Sequence, residues 1–258
     1  MTLLDEATFY RRLHLGNPGD IEFYERVTRG AESVLELGCG WGRITRAFAG
    51  APCVVGLDHN AAFLEEARHS PQVEATTQFL QEDIRSFDLQ KYDLPSTVFQ
   101  KIVIPYNTLY SLGGAAGVEA CFKRAFQHLA PEGELWFDVY PMDALQEALM
   151  AGHLTEDDDE PVAVQDWEGA KVRIFENSRL DHTQQRLRVT YQALGEDDAL
   201  LAEMSMVHDY LLIDELARLL TQVGLSLLGG FGDFSGTALS DDPEQVILGA
   251  RHRSAFED

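Results

Sequence analysis

Between Val34 and Ala49 the chain reads VLELGCGWGRITRAFA: one carboxylate, three glycines and a following apolar pattern in sixteen residues. Gly38, Gly40 and Gly42 end a mostly apolar run, and Ile44, Ala47 and Phe48 then recur at helical spacing. Glycines this dense where a strand turns into a helix allow positive φ and a close backbone approach that a side chain would block. The N–H groups that open the next helix then face whatever rests on the turn. Dinucleotide folds hold a pyrophosphate this way, with the spacing G-x-G-x-x-G. Here the spacing is G-x-G-x-G, and Glu36 stands just ahead of it. A carboxylate there repels a diphosphate and suits a cationic amine.

A ligand with an amino-acid tail and a positive centre meets both demands, and S-adenosylmethionine is such a molecule. Three later stretches supply its other contacts. In GLDHN, Asp58 can accept from both ribose hydroxyls, with His59 beside it. In QEDI, Asp83 can accept from an adenine amino group while Ile84 offers its N–H and an apolar surface to the ring. In IPYNTLY, Tyr106 and Asn107 would border the transferable methyl group. A single Asp at a strand end is commonly a helix cap or a turn closure. Three acidic strand tips in chain order beside a glycine turn are read as one site, with Gly38, Cys39 and Gly40 as its backbone cradle.

A sulfonium already carries a good leaving group, so alignment of the nucleophile and exclusion of water do most of the work. Such positioning supplies roughly 7–11 kcal/mol of a barrier. An amine needs only a free lone pair, whereas a hydroxyl needs a base. Tyr106, Asn107, Tyr140 and His208 are the candidates for polar roles over the methyl. Strand alternation in MVHDYLL puts His208 on the opposite face from Val207 and Asp209, where a solvent-facing histidine is the expectation. Asp138, inside an apolar strand, reads as a polar group satisfied at the strand end. No His, Asp or Glu cluster has metal-ligand spacing, so no metal is expected.

The elements that must carry these residues alternate. Strand candidates at Ser33–Leu37, Cys53–Leu57, Gln78–Gln81, Phe99–Ile104 and GELWFDVY are separated by helical patterns. One follows the glycine turn, one is capped by Asn60 and stopped by Pro71, and one runs from Val118 to Leu129 with Pro131 and Gly133 as its stop. That rhythm implies a parallel, doubly wound sheet with ligands outside the carboxyl ends of its strands. From about Met142 the pattern changes. TEDDDE (Thr155–Glu160) reads as an exposed loop, and Lys171–Leu180, Gln185–Leu194 and Leu201–Leu212 read as an antiparallel meander. A helix ending at Gly224 follows, and then LSLLGGF and QVILGARHR as an antiparallel pair. The expected division is an α/β domain over 1–141 and 212–258, with 142–211 inserted.

Composition bounds the partners. Against 43 Asp and Glu stand 20 Lys and Arg, a net charge of -23 that repels phosphate backbones and anionic lipid. Nucleic acid and membrane are therefore not expected as partners. No run reaches membrane-spanning length and the N-terminal residues lack an apolar signal region. Cys39, Cys53 and Cys121 have no paired spacing, which suits reduced thiols and a cytoplasmic setting.

These motifs resemble those of the class I S-adenosylmethionine-dependent methyltransferases over nearly the whole chain. VLELGCGWG is similar to their first motif, VVGLDHN to the acidic ribose loop, QEDI to the adenine loop and LAPEGELWFDV to the fifth-strand signature. The fold so implied is a Rossmann-like seven-stranded α/β sheet, last strand antiparallel, with an inserted antiparallel β lid. FYRRLHLGNPGDIEFY, the insertion and FGDFSG resemble more narrowly the small-molecule enzymes that N,N-dimethylate nucleotide-linked amino sugars. That resemblance implies that Tyr10, and an aromatic at the place of His14, fold over the cofactor. It also implies that the inserted sheet is a lid and, in several members, the surface of a homodimer. The expected activity is methyl transfer to N or O of a small-molecule acceptor. The alternatives are a protein or peptide methyltransferase, which would need an open groove, and a nicotinamide-dependent oxidoreductase or nucleotide-sensing module, which Glu36 and the glycine spacing disfavour.

Overall fold

Strands β1 (Ser33–Leu37) and β2 (Cys53–Asp58) are buried along their whole length, as strands of a parallel sheet covered on both faces must be. The computed structural model describes residues 4–71, 74, 76–143 and 160–253. In it, β3 (Thr77–Gln81), β4 (Phe99–Ile104) and β5 (Leu129–Val139) join β1 and β2 in parallel. After four strands of a separate sheet come β10 (Leu225–Phe231) and β11 (Val246–His252). The seven-stranded order is β10-β11-β5-β4-β1-β2-β3, with β11 antiparallel to both its neighbours. This is the α/β sheet with a reversed last strand that the motifs imply.

Alternation along the strands divides two apolar layers. On one face Val34, Val54, Val103, Trp136 and Ile247 pack with Phe23 and Tyr24 of helix α2 (Asp20–Thr28). Phe23 meets Trp136 and Phe234 edge-on, each with ring centroids 5.9 Å apart. On the other face Phe122 of α4 (Ala115–His128) lies 5.5 Å from Phe137. Full burial of a side chain of this size stabilises by about 1.5–3 kcal/mol. Helix α3 (Ala61–His69) starts at Asn60, whose side chain accepts from the Ala62 N–H at 3.0 Å. Helix α5 (Ile213–Val223) ends at Gly224, which is left-handed at φ 93°.

Two local expectations are corrected. The helix expected after the glycine turn is a single 3-10 turn, Thr45–Phe48. Gly50 at φ 90° breaks it and β2 begins at Cys53, so the segment has no room for more. Helix α4 stops at His128, ahead of Pro131 and Gly133, because Leu129 already pairs with Phe99 in an irregular start to β5.

Contacts divide the chain into two compact units, Asn17–Asp143 with Leu211–Asp258, and Met1–Gly16 with Ala144–Tyr210. The second holds a four-stranded antiparallel sheet in the order β6 (Ala163–Trp167), β7 (Ala170–Asp181), β8 (Arg186–Leu194) and β9 (Leu200–Asp209). Three of these strands match the expected meander; β6 does not figure in it. It is short, and Glu168 and Gly169, both at positive φ, turn it tightly into β7. Helix α1 (Glu6–Leu13) is capped by Asp5 and sets Phe9 against Trp167, with ring centroids 5.9 Å apart. Val172, Ile174, Ala193, Ala202 and Met204 complete that core. The first sixteen residues, counted with the α/β domain in the sequence division, thus cluster with the antiparallel sheet. Of the acidic run Thr155–Glu160, residues 155–159 lie outside the described residues.

Candidate active site

β1 lies between β2 and β4, so the chain leaves it to one side and later returns on the other. A crevice forms outside the strand ends at such a switch point. Register fixes what borders it. Glu36 sits opposite Gly56 of β2 and Val103 of β4, and Asp58 sits opposite Gln81 of β3. The Tyr106–Asn107 turn, the glycine turn, Asp58 with His59, and Asp83 with Ile84 therefore follow one another along a single sheet edge.

Within the glycine turn, Gly38 and Gly40 answer different needs. Gly38, at φ 81°, is packed: a Cβ there would lie 2.5 Å from Thr108 Cγ2. Gly40, at φ 53°, is open, with nothing within 4 Å of a Cβ. The backbone is bare at Gly40 toward free space. The turn is also not the anion cradle that free helix N–H groups would make. Gly38 and Cys39 donate to the Leu57 carbonyl at 2.8 and 2.9 Å, Gly42 donates to Cys39, and Gly40 donates to Asp58 Oδ2 at 2.8 Å. Donors already engaged offer little to a diphosphate, and the Asp58 carboxylate opposes one.

The three carboxylates differ in setting. Asp58 is 8 % exposed and accepts from Gly40 through Oδ2 and from the Asn60 N–H through Oδ1, both at 2.8 Å. Each oxygen keeps a further lone pair for a hydroxyl donor. Asp83 is partly exposed and holds Arg85 through both oxygens, with Nη2 at 2.6 Å; that pairing lowers its pKa. Glu36 is 2 % exposed and accepts from the Thr45 hydroxyl, so it does not stand at the rim as the sequence suggested. Burial raises its pKa to about 8, against the pull of Thr45 and Arg43, so it holds a proton at neutral pH. Cys39 is buried, which pushes its thiol pKa up. His59 is exposed beside Asp58, with Nδ1 3.6 Å from Oδ1, and Ile84 is buried.

Tyr106 and Asn107 both lie at φ 59°, a left-handed conformation that costs non-glycine residues on the order of 1–3 kcal/mol each. The end of β5 holds them there. The Asn107 N–H donates to the Asp138 carbonyl at 3.2 Å, and Asn107 Oδ1 accepts from the Tyr140 N–H at 2.6 Å. Tyr140 stacks edge-on with Tyr110, whose hydroxyl donates to the Leu211 carbonyl at 3.1 Å. Arg43 was not singled out from the sequence. Its guanidinium lies 5.4 Å from the Tyr106 ring and grips buried Asp20 at 2.8 and 2.6 Å. No local signal marks that pair, since Asp20 and Arg43 are 23 residues apart.

Tyr10, His14 and His208 belong to the other unit. Tyr10 and His14 have ring centroids 4.4 Å apart, and His14 meets Tyr191 edge-on at 5.4 Å. Burial, and then the nearby His208, lower the His14 pKa to about 4. His208 is half-buried with its pKa lowered by burial, not the solvent-facing residue that alternation suggested. It pairs in register with Leu187 on the face of β8 that also carries Tyr191, the face on which α1 lies. Among the described residues no group of three His, Cys, Asp or Glu could hold a metal ion, and no helix is long and apolar enough to cross a membrane.

Residues 34–133 match the family described as a methyltransferase domain, a span that opens at β1 and closes inside β5. Solved structures share the fold at low identity. The CcbJ methyltransferase of Streptomyces caelestis superposes with a TM-score of 0.75 at 20% identity, over 92% of this chain and 97% of that one. An amino pentose methyltransferase of Micromonospora echinaspora, solved with S-adenosylmethionine bound, gives 0.67 at 21% identity, over 98% and 99%. The sugar N-methyltransferase KedS8 of Streptoalloteichus gives 0.70 at 19% identity, over 98% and 95%. No curated protein matches the sequence.

Proposed function

We propose, from the premise that residues 34–133 form a methyltransferase domain, that this chain moves a methyl group from S-adenosylmethionine to a nucleophilic nitrogen or oxygen of a small molecule. S-adenosylmethionine is its cofactor. The observation that carries the reading is the juxtaposition at one sheet edge of an open Gly40 backbone, engaged N–H donors and the Asp58 carboxylate with spare lone pairs.

That donor and acceptor set fits the cofactor and not a dinucleotide. Asp58 would take the ribose hydroxyls. Asp83 and Ile84 would take the adenine, and the backbone at Gly38, Cys39 and Gly40 the amino-acid tail. When bound, the group supplies an electrophilic methyl on a positively charged sulfur. The protein's own share is to hold the acceptor in line and keep water out. The Tyr106–Asn107 turn, hydrogen-bonded to the end of β5 and with Arg43 over the Tyr106 ring, suits that task. Tyr140, at the end of β5, is proposed to border the acceptor; Tyr10, His14 and His208 belong to the other unit and have no assigned place in this site.

Amino sugars are the first acceptor class to test, because solved relatives of this fold are amino pentose and sugar N-methyltransferases. Purified protein is incubated with labelled S-adenosylmethionine and a panel of nucleotide-linked amino sugars, simple amines and phenols. Label transferred to an amino sugar or another small molecule supports the reading. Label transferred only to basic peptides would replace the small-molecule acceptor with a protein one.

A further inference from the structure

The polar core of the α/β unit is centred on one side chain that the cofactor reading leaves unused. Asp138 is 1 % exposed at the end of β5. Its Oδ1 accepts from the Tyr24 hydroxyl of α2 at 2.5 Å and from the Tyr106 N–H at 2.9 Å. Its Oδ2 accepts from Gln245 Nε2, just ahead of β11, at 2.9 Å. Three elements and the β4 turn are thus joined by one carboxylate. The same residue's carbonyl takes the Asn107 N–H. Both left-handed residues of the turn are therefore tied to Asp138, one through its side chain and one through its backbone.

We propose that Asp138 is the positioning residue of the methyl-transfer site, fixing the Tyr106–Asn107 turn in its left-handed conformation through the Tyr106 N–H. The assignment of the turn to that site rests on the proposed function; the link between Asp138 and the turn does not. Burial of the carboxylate among apolar strands would be a liability for packing alone, since an apolar residue would fill the place at lower cost. The Tyr106 N–H would then be left without an acceptor, and the turn without its strap.

The charged and titratable groups around the carboxylate are Tyr24 and Asp20 on α2, Glu36 on β1, which bears on Tyr24 when ionised, and Arg43 against the Tyr106 ring. Burial raises the Asp138 pKa to about 6, clear of the value near 8 for Glu36. The turn's N–H therefore reports on a group that titrates in an accessible range.

The test follows the Tyr106 amide proton by NMR from pH 4.5 to 8 in the wild type and in Asp138→Asn. The amide group of Asn can keep the acceptor at Oδ1 while Gln245 turns its own amide over. An inflection near pH 6 in the wild type that vanishes in Asp138→Asn is the expected result. A flat wild-type curve, or an inflection that survives in Asp138→Asn, overturns the proposal. In Asp138→Ala, hydrogen exchange at Tyr106 and Asn107 should quicken at least tenfold, with β1 amides within threefold, and Asp138→Asn should restore slow exchange. Equal quickening at β1 and the turn would mark a merely structural residue and overturn it. Adding S-adenosylmethionine to the wild type should shift the Tyr106 and Asn107 resonances. Failure of that step alone would count against the turn's place in the site while leaving its link to Asp138 standing.

Discussion

Glu36→Gln isolates the electrostatics of the site. Glu36 lies under the glycine turn, 2 % exposed, with the Thr45 hydroxyl donating to it. Its pKa is raised from 4.5 to about 8, chiefly by burial. The folded state therefore binds this proton more tightly than the unfolded chain does. Stability from the group is greatest below pH 4.5, declines as pH rises, and has lost its full share above pH 8. At 1.36 kcal/mol for each unit, a shift of this size amounts to about 5 kcal/mol, an upper figure because the unfolded chain and local relaxation both reduce it. Gln is the same shape as the protonated carboxyl and can accept the same Thr45 hydrogen bond. The variant should thus match the wild type within about 1 kcal/mol near pH 5, the usual scale of one neutral hydrogen bond. By pH 8 it should be more stable by a few kcal/mol. Urea unfolding at half-unit steps from pH 5 to 8.5 measures the difference. Asp138, also raised by burial, titrates alike in both proteins and cancels. A wild-type minus variant difference that stays flat with pH would refute the assignment of a neutral, buried Glu36.

Three further outcomes follow from the same geometry. S-adenosylmethionine brings positive charge toward Glu36, so its binding at pH 7 should release protons, seen as a binding enthalpy that changes with the buffer's ionisation enthalpy, and Glu36→Gln should lose most of that dependence. Gly38→Ala should lower the unfolding midpoint, since its Cβ would strike Thr108, whereas Gly40→Ala should keep more of the stability and block cofactor binding, as calorimetry and thermal melts would show. Asp58→Asn should weaken S-adenosylhomocysteine binding roughly 10- to 100-fold, the scale of hydrogen bonds to a charged group; unaltered affinity would remove the ribose assignment. Asn is preferred to Ala there because it keeps an acceptor for one of the Gly40 and Asn60 N–H groups, whereas Ala would strip it from both.

The sheet was legible because its code is local. Runs such as VLEL and KIVI are too apolar for anything but buried strands, and the Asn60 cap lies within hydrogen-bond reach of the N–H it accepts. The placement of Glu36, the glycines and Asp58 along one sheet edge was legible for the same reason, since each is fixed by a strand end. What escaped depends on distant partners. Glu36 reads as a charged contact until Thr45 is seen to cap it and burial to neutralise it. Asp138 reads as a strand-end polar group until Tyr24 and Gln245, each more than 100 residues away in the chain, converge on it. The single 3-10 turn after the glycines follows from the early start of β2, which helical periodicity in the preceding residues does not encode. Grouping residues 1–16 with the antiparallel sheet rests on Phe9 against Trp167, a contact across more than 150 residues.

The central claim is that the edge formed by Gly40, Asp58 and Asp83 receives a sulfonium nucleoside. Isothermal titration of the purified chain with S-adenosylmethionine, S-adenosylhomocysteine and NADH tests it most directly. Saturable binding of both sulfur nucleosides at one per chain, with no heat from NADH, is the predicted result. Tight NADH binding with no response to either sulfur nucleoside would contradict it.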